Sequence, residues 1–406
     1  MFDKLIGYLR HQTTTGVQLG ELDAFRGWAC LGVVFIHCIG NLGSDTPTGA
    51  AGSAVIWFLQ QGGHGVDLFF FISGFLLFIK FGKAYYEGMP SPSVKAFYKR
   101  RFFRIAPAYY VNVALVMALW SLHYTHYYYF RWDARDILAH VTFLHNMSPT
   151  YSQSINPVLW TLAIEMQFYL VLPFIASWFY GRRWLIGATA ILLASSAYKI
   201  WVIQMDASSG SQGINLALTP FNQLLWRLDQ FAIGMCFANL WLYVTLREER
   251  PAFLTSRGFA GLLVVLGVCT VLGAFRLEMH YLDTYPMLAV ISSPLASVGF
   301  GMLVFGTIYS GIIKDIIANR SIELVGIVSY SVYLWYYQVV VNLGLLFPWF
   351  DEPGYGSFLI RVALALPLSV AVGLLSYMAV ERPFLKGKGI KQMLSPAPDQ
   401  AQGVAP

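Results

Sequence analysis

The sequence predicts an all-α integral membrane protein of about ten transmembrane helices with both termini in the cytoplasm. Three observations carry this reading. Of the 406 residues, 57% are hydrophobic and 12% charged, with a mean hydropathy of +0.56, which excludes an ordinary soluble domain. Apolar runs long enough to cross a bilayer recur between charged or Gly/Pro-rich breaks, near 22–40, 64–80, 105–122, 158–180, 184–204, 218–243, 258–275, 286–310, 324–348 and 357–380. Lysine and arginine then fix the orientation. With the N-terminus inside, inner segments hold 20 of the 27 and outer loops hold four, Arg131, Arg135, Arg276 and Arg361; Arg26, Lys199 and Arg227 fall within spans. The net charge of +6 is therefore a topology signal and gives no reason to expect nucleic acid. The expected organisation is an N-terminal arm (1–20), a membrane domain (21–385) and a disordered cytoplasmic tail (386–406).

The arm lacks the apolar core and cleavage site of a signal peptide, so the first span does the targeting. That span, DAFRGWACLGVVFIHC (23–38), contains Arg26 and His37. Eleven residues apart, they return to one helix face within about 20° and lie roughly 16 Å apart along the axis. Ionisable groups in a spanning helix are costly and normally face a protein interior or a water-filled cavity. Both side chains should line one polar pathway.

The second span, GGHGVDLFFFISGFLL (62–77), has glycines around His64 that permit close backbone approach. Asp67 either caps the helix N-terminus or binds substrate. Ser73 with Gly74 reads as a helix-packing patch, because no GxSxG elbow surrounds it. The inner stretch KAFYKRRFFR (95–104) comes next. Arg101 and Arg104 share a helix face beside Arg100, and Pro107 suits a first helical turn better than an interior. This cluster either anchors the chain to anionic lipid or binds phosphate through arginine forks.

The outer segment 123–156 carries His123, His126, His140 and His145 among tyrosines suited to an interfacial belt or to sugar stacking. HExxH spacing is absent, and no metal site is expected. The fourth span, LWTLAIEMQFYLVLP (159–173), holds Glu165 about 10 Å below its outer end, where it either faces His37 or pairs with an intramembrane cation such as Arg227. Trp160 opens this span and is taken with Asp67 and Arg227 as a substrate-binding set. Arg227 and Asp229, two residues apart in FNQLLWRLDQFAIG (221–234), cannot share a face, so each needs a partner on another helix. The four cysteines lie in or at the edge of spans without CxxC spacing and read as packing residues. The closing segments are SYSVYLWYY (329–337) and ERPFLK (381–386).

Taken in order, these segments resemble the acyltransferase 3 family of integral membrane O-acyltransferases over residues 20–385. The resemblance rests on Arg26-x10-His37, GVDLFFFISGFLL, the RRFFRIAPAYY block, LWTLAIEMQFYLVLP, RLDQFAIGMCFA, SYSVYLWYY and ERPFLK. It implies a multi-pass enzyme of the cell (inner) membrane. Such an enzyme transfers an acyl group, typically acetyl, from cytosolic acyl-CoA to a hydroxyl of an extracytoplasmic or lipid-linked carbohydrate such as O-antigen or exopolysaccharide. No bound cofactor is implied, and acetyl-CoA is the donor co-substrate. The resemblance carries the catalytic positions to His37, Arg26 and Glu165, and the donor-binding pair to Arg101 and Arg104, with Arg100 adjacent. Where the family often has histidine after YLW, this chain has Tyr336; where a double glutamate is common, it has Glu165 followed by Met166. The short tail leaves no room for the soluble esterase-like domain some members append. The expected chemistry is general-base catalysis by His37, oriented by Glu165. The alternative is a transporter or flippase of a glycolipid or small anion that uses Arg26, His37 and Glu165 for substrate or proton coupling.

Overall fold

The computed structural model describes residues 2–9, 19–39, 50–123, 133–208, 220–247, 252–281, 285–347, 350 and 354–386. The expected tail beyond Lys386, His126 and the tyrosines of 124–129 lie outside them. In a bilayer every backbone polar group must be satisfied internally, so long apolar runs fold as helices. Among the described residues the structure is helical and contains no strand. The α-helices are α1 Phe2–Leu9, α2 Gly20–Ile39, α3 Ala50–Gln60, α4 Gly65–Tyr86, α5 Val94–His123, α6 Ala134–Val141, α7 Trp160–Ile175 and α8 Trp184–Ser208. They continue with α9 Leu224–Thr245, α10 Arg257–Tyr281, α11 Ala289–Tyr309, α12 Ile312–Ile317, α13 Arg320–Ile327, α14 Ser329–Leu346, α15 Tyr355–Ser376 and α16 Arg382–Lys386.

Among the described residues eight helical stretches are long and apolar enough to cross a membrane, against the expected count of about ten. Two places account for the difference. α13 and α14 pass together but meet at an 80° bend, so the expected span at 324–348 is a short helix turned against a longer one. The other is α9, which falls outside the eight and carries Arg227, Asp229, Gln230 and Asn239. Most of its side chains are buried against α4, α8 and α11. A helix screened from lipid by its neighbours can carry polar groups that a lipid-facing one cannot.

α5 departs from the sequence reading at Pro107, which lies inside the helix rather than at its start. The basic stretch therefore continues the same helix from Val94, and Arg100, Arg101 and Arg104 project from one rod with the span. The missing N–H of Pro107 frees the Phe103 carbonyl, and proline is tolerated in such helices because neighbours and local adjustments re-satisfy freed groups; nearby, the Tyr330 hydroxyl ties α14 to α5 by donating to the Ile105 carbonyl at 2.7 Å.

Two crossings hold the centre. α4 and α9 approach so closely that a Cβ on Gly74 would strike the Phe231 carbonyl, and one on Gly234 would strike that of Phe71. Gly27 and Gly326 play the same part between α2 and α13, next to Arg26. Small residues drive such packing in membranes, where helix association draws on contact rather than hydrophobic expulsion. Gly74→Val is expected to lower the thermal unfolding midpoint of the detergent-purified protein, through overpacking that costs about 1–3 kcal/mol. An unchanged midpoint would contradict the close crossing.

The segment before α7 sinks into the bundle. Asn156 donates to the Asn112 side chain at 3.0 Å and to the Leu334 carbonyl at 3.1 Å. Asn112 lies well inside α5, eight residues or about 12 Å beyond Arg104. α7 thus starts deep, and this shifts Glu165 toward the Arg104 end of the molecule.

Candidate active site

Arg26, Ser73 and Glu165 line one partly open cavity of about 50 Å³ with Val66, Phe69, Phe70, Thr161, Leu162, Ser329, Tyr330 and Tyr333. The spacing along α4 explains its wall: Val66, Phe69, Phe70 and Ser73 stand at i, i+3, i+4 and i+7, one continuous stripe. Glu165 Oε1 accepts hydrogen bonds from the Ser73 hydroxyl at 3.0 Å and the Tyr169 hydroxyl at 2.6 Å. Arg26 is partly accessible because it faces this space.

His37 stands apart from it. Its Nδ1 sits 2.8 Å from the Val33 carbonyl, which can only accept, so Nδ1 carries the proton and Nε2 keeps its lone pair. Its ring is accessible and edge-on to Tyr336 at 5.2 Å and Tyr337 at 5.6 Å. The expected pairing of His37 with Glu165 is not formed. Glu165 is held by Ser73 and Tyr169, because the sunken start of α7 lowers it to the cavity. Nor does Glu165 pair with Arg227, which is engaged elsewhere. Tyr333 lines the cavity and packs 5.6 Å from Tyr336, so two tyrosine rings separate the cavity from His37.

Below the cavity the arginines gather. The Arg101 guanidinium lies 5.7 Å from the Phe97 ring centroid and 5.9 Å from that of Tyr169, a cation–π setting suited to a partly desolvated guanidinium. Arg104 acts electrostatically on both Arg26 and Arg101, and Glu165 acts on all three, but among the described residues none donates a hydrogen bond or lies within 4.0 Å of a carboxylate. Arg100 is half-buried and nearer the end of the molecule.

The three residues expected to bind substrate do come together. Asp67 Oδ1 takes Arg227 Nη1 at 2.6 Å and Gln230 Nε2 at 2.9 Å, while Oδ2 takes His64 Nδ1 at 2.7 Å. The Arg227 guanidinium stands 5.7 Å from the Trp160 ring centroid, and His64 stacks on Phe275 at 3.9 Å. Asp67 is thus a cross-helix ion-pair partner, and α4 begins without a side-chain cap. His64 joins this group although its sequence signal was only the flanking glycines. Asp229 pairs with Lys199 at 2.6 Å, so both charges of the Arg227/Asp229 doublet find partners on other helices. His140 and His145 stack on each other at 4.0 Å, and Asp136 pairs with His140 at 3.0 Å. Among the described residues no cluster of histidine, cysteine or carboxylates could hold a metal ion.

Comparison with known proteins agrees with this arrangement of motifs. The chain is 24% identical over 393 residues to O-acetyltransferase OatA of Staphylococcus aureus strain NCTC 8325 / PS 47, and equally to that of strain COL. Each alignment covers 92% of this chain and 58% of the relative, so the chain spans little more than half the length of these relatives. No solved structure matches it. The family described as "Acyltransferase domain" matches residues 19–378, which include Arg26, His37, Arg101, Arg104 and Glu165. The chain therefore belongs to this acyltransferase family, as a multi-helix membrane member.

Proposed function

We propose that the protein is a membrane O-acetyltransferase that moves an acetyl group from cytosolic acetyl-CoA to a hydroxyl of an extracytoplasmic or lipid-linked carbohydrate. The observation that carries this is the presence of Arg26 and Glu165 on the wall of one cavity, with a histidine on the same face of α2, about 16 Å further along, whose Nε2 is free to take a proton. The names of the relatives support O-acetyl transfer.

In this reading the CoA phosphates dock on Arg100, Arg101 and Arg104, whose forks suit phosphate oxygens. The uncharged pantetheine arm passes Arg26 toward His37. A void of about 50 Å³ holds a few waters and not this arm, so passage requires Tyr333 to swing aside. The acceptor hydroxyl is held beside Asp67, Arg227 and Trp160. His37 accepts its proton as the oxygen attacks the thioester carbonyl, and CoA leaves as the thiol. Glu165, held by Ser73 and Tyr169, acts at the cavity and balances the arginine charge. The protein works in the cell inner membrane with both termini on the cytoplasmic side.

The test is transfer of label from radiolabelled acetyl-CoA to an envelope glycan by the purified protein. Wild-type protein that neither binds acetyl-CoA nor transfers label would sink the proposal and leave the transport reading. Arg101→Gln with Arg104→Gln is expected to raise KM for acetyl-CoA at least about 10-fold, the loss of one or more charge-assisted hydrogen bonds. An unchanged KM would return these arginines to membrane anchoring.

A further inference from the structure

We propose that Glu381 is a positioning residue that sets the buried arginines Arg104 and Arg26 for the phosphate-bearing donor; this rests on the donor reading above. The closing motif of the sequence has no role in the mechanism so far, yet the fold carries it inward. Residues Tyr377–Glu381 form a single π-helical turn between α15 and α16. Such a turn inserts one residue into the helix and rotates the downstream residues by about 100° relative to an unbroken α-helix. Isolated π-turns of this kind recur at functional sites.

The rotation leaves Glu381 only 3% exposed. Its Oε2 accepts a hydrogen bond from the Ser331 hydroxyl at 3.0 Å. Ser331 neighbours Ser329 and Tyr330, both in the cavity wall, and Tyr330 is bonded to Ile105, the residue after Arg104. Glu381 is the strongest opposite charge acting on Arg104, ahead of Glu165, and it acts on Arg26 more weakly, behind Asp23 and Glu165. The largest charge effect on Arg26 is repulsion by Arg104.

A carboxylate in direct contact would consume the guanidinium donors. Glu381 instead stays beyond 4.0 Å of both arginines, so it offsets their mutual repulsion while their N–H groups remain available to an anion. Ser331 fixes the carboxylate and the π-turn supplies its direction. The SYSVYLWYY segment, whose Ser329, Tyr330 and Tyr333 line the cavity, and the otherwise unassigned ERPFLK thereby meet at Ser331 and Glu381.

The test uses the full-length protein in nanodiscs, with acetyl-CoA as the probe for both direct binding and initial rates. Glu381→Gln keeps shape and the bond to Ser331 but removes the charge. It is expected to raise KM and Kd for acetyl-CoA about 10-fold, with kcat at saturating donor within about 3-fold. Glu381→Asp, which keeps the charge, should recover at least half of that loss on a logarithmic scale. A purely structural role predicts a lower unfolding midpoint and a lower active fraction at unchanged KM, and that outcome overturns the proposal. If Glu381→Gln does not fold, Ser331→Ala serves, with a smaller KM rise expected and an unchanged KM counting against the idea. Wild-type protein that fails to bind acetyl-CoA would instead refute the donor reading, so the two failures are separable.

Discussion

His37→Ala is expected to lower acetyl transfer by about 10²- to 10⁴-fold while leaving acetyl-CoA binding intact, the range that general-base catalysis contributes. The geometry gives the reason. The Val33 carbonyl fixes the proton on Nδ1, and the remaining lone pair on Nε2 is the group that can receive one. Tyr336 and Tyr337 hold the ring edge-on, so its orientation is set by packing rather than by a carboxylate. His37→Gln should therefore fare no better than alanine, because an amide can hydrogen-bond in this place but cannot take up a proton near neutral pH. The assay separates binding, read with labelled acetyl-CoA, from transfer, read on the acceptor. Transfer at the wild-type rate by either variant removes His37 from the chemistry. Loss of binding in step with transfer would make it a donor-site residue. Tyr336, the position at which the family resemblance leads one to expect a histidine, packs directly against His37, so an aromatic wall stands where a second imidazole was expected.

Facing was legible in the sequence, and depth was not. The 3.6-residue period put Arg26 and His37 on one side of α2 and separated Arg227 from Asp229, and those relations depend on local geometry alone. The depth of Glu165 depended on where α7 begins. That is decided by Asn156 reaching Asn112 and Leu334, residues 44 and 178 positions away in the chain, to which no hydropathy window is sensitive. The same long-range effect hid the role of Asp67. A carboxylate at a helix start looks like a cap, and only the neighbouring α9 reveals it as an ion-pair partner. Ser73 has a second role, the hydrogen bond to Glu165, beside the packing patch read at Ser73–Gly74. Its stripe with Val66, Phe69 and Phe70 was readable, but small residues on such a stripe serve packing and polar cavities alike. The bend between α13 and α14 and the π-turn before α16 each have a breaker beside them: Gly326 lies two residues before the break at Val328, and Pro383 withholds the N–H that would bond the Ala379 carbonyl inside the π-turn, but neither residue by itself tells a bend from a continuous span.

Asp229→Leu is expected to destabilise the protein by about 3–5 kcal/mol, because it leaves Lys199 buried and unpaired. The pair is nearly sealed, with side-chain exposures of 1% and 2%. Lys199 also donates to Ser293 at 3.2 Å and stands 5.7 Å from the Trp226 ring centroid. Replacing both partners by apolar residues of similar size, Lys199→Met with Asp229→Leu, removes the unpaired charge and should recover most of the stability. If this pair is structural, transfer recovers with it. The Asp67–Arg227 pair makes the same bond length but a different prediction. Arg227 is 18% and Asp67 11% exposed, and their neighbours His64 and Trp160 offer a ring and a polar edge of the kind a saccharide uses. Asp67→Leu with Arg227→Met should likewise restore folding relative to either single change, yet transfer should stay at least about 100-fold down, since two direct contacts to the acceptor are gone. Gln230 couples the two pairs, donating to Asp67 at 2.9 Å and to Ser293 at 3.2 Å, so each double variant must be compared with its own singles rather than summed with the other. Unfolding midpoints and transfer rates measured on the four single and two double variants then divide the buried polar network by role. A fully active Asp67/Arg227 double variant would move the acceptor site away from these residues, and an inactive but stable Lys199/Asp229 double variant would draw the second pair into it.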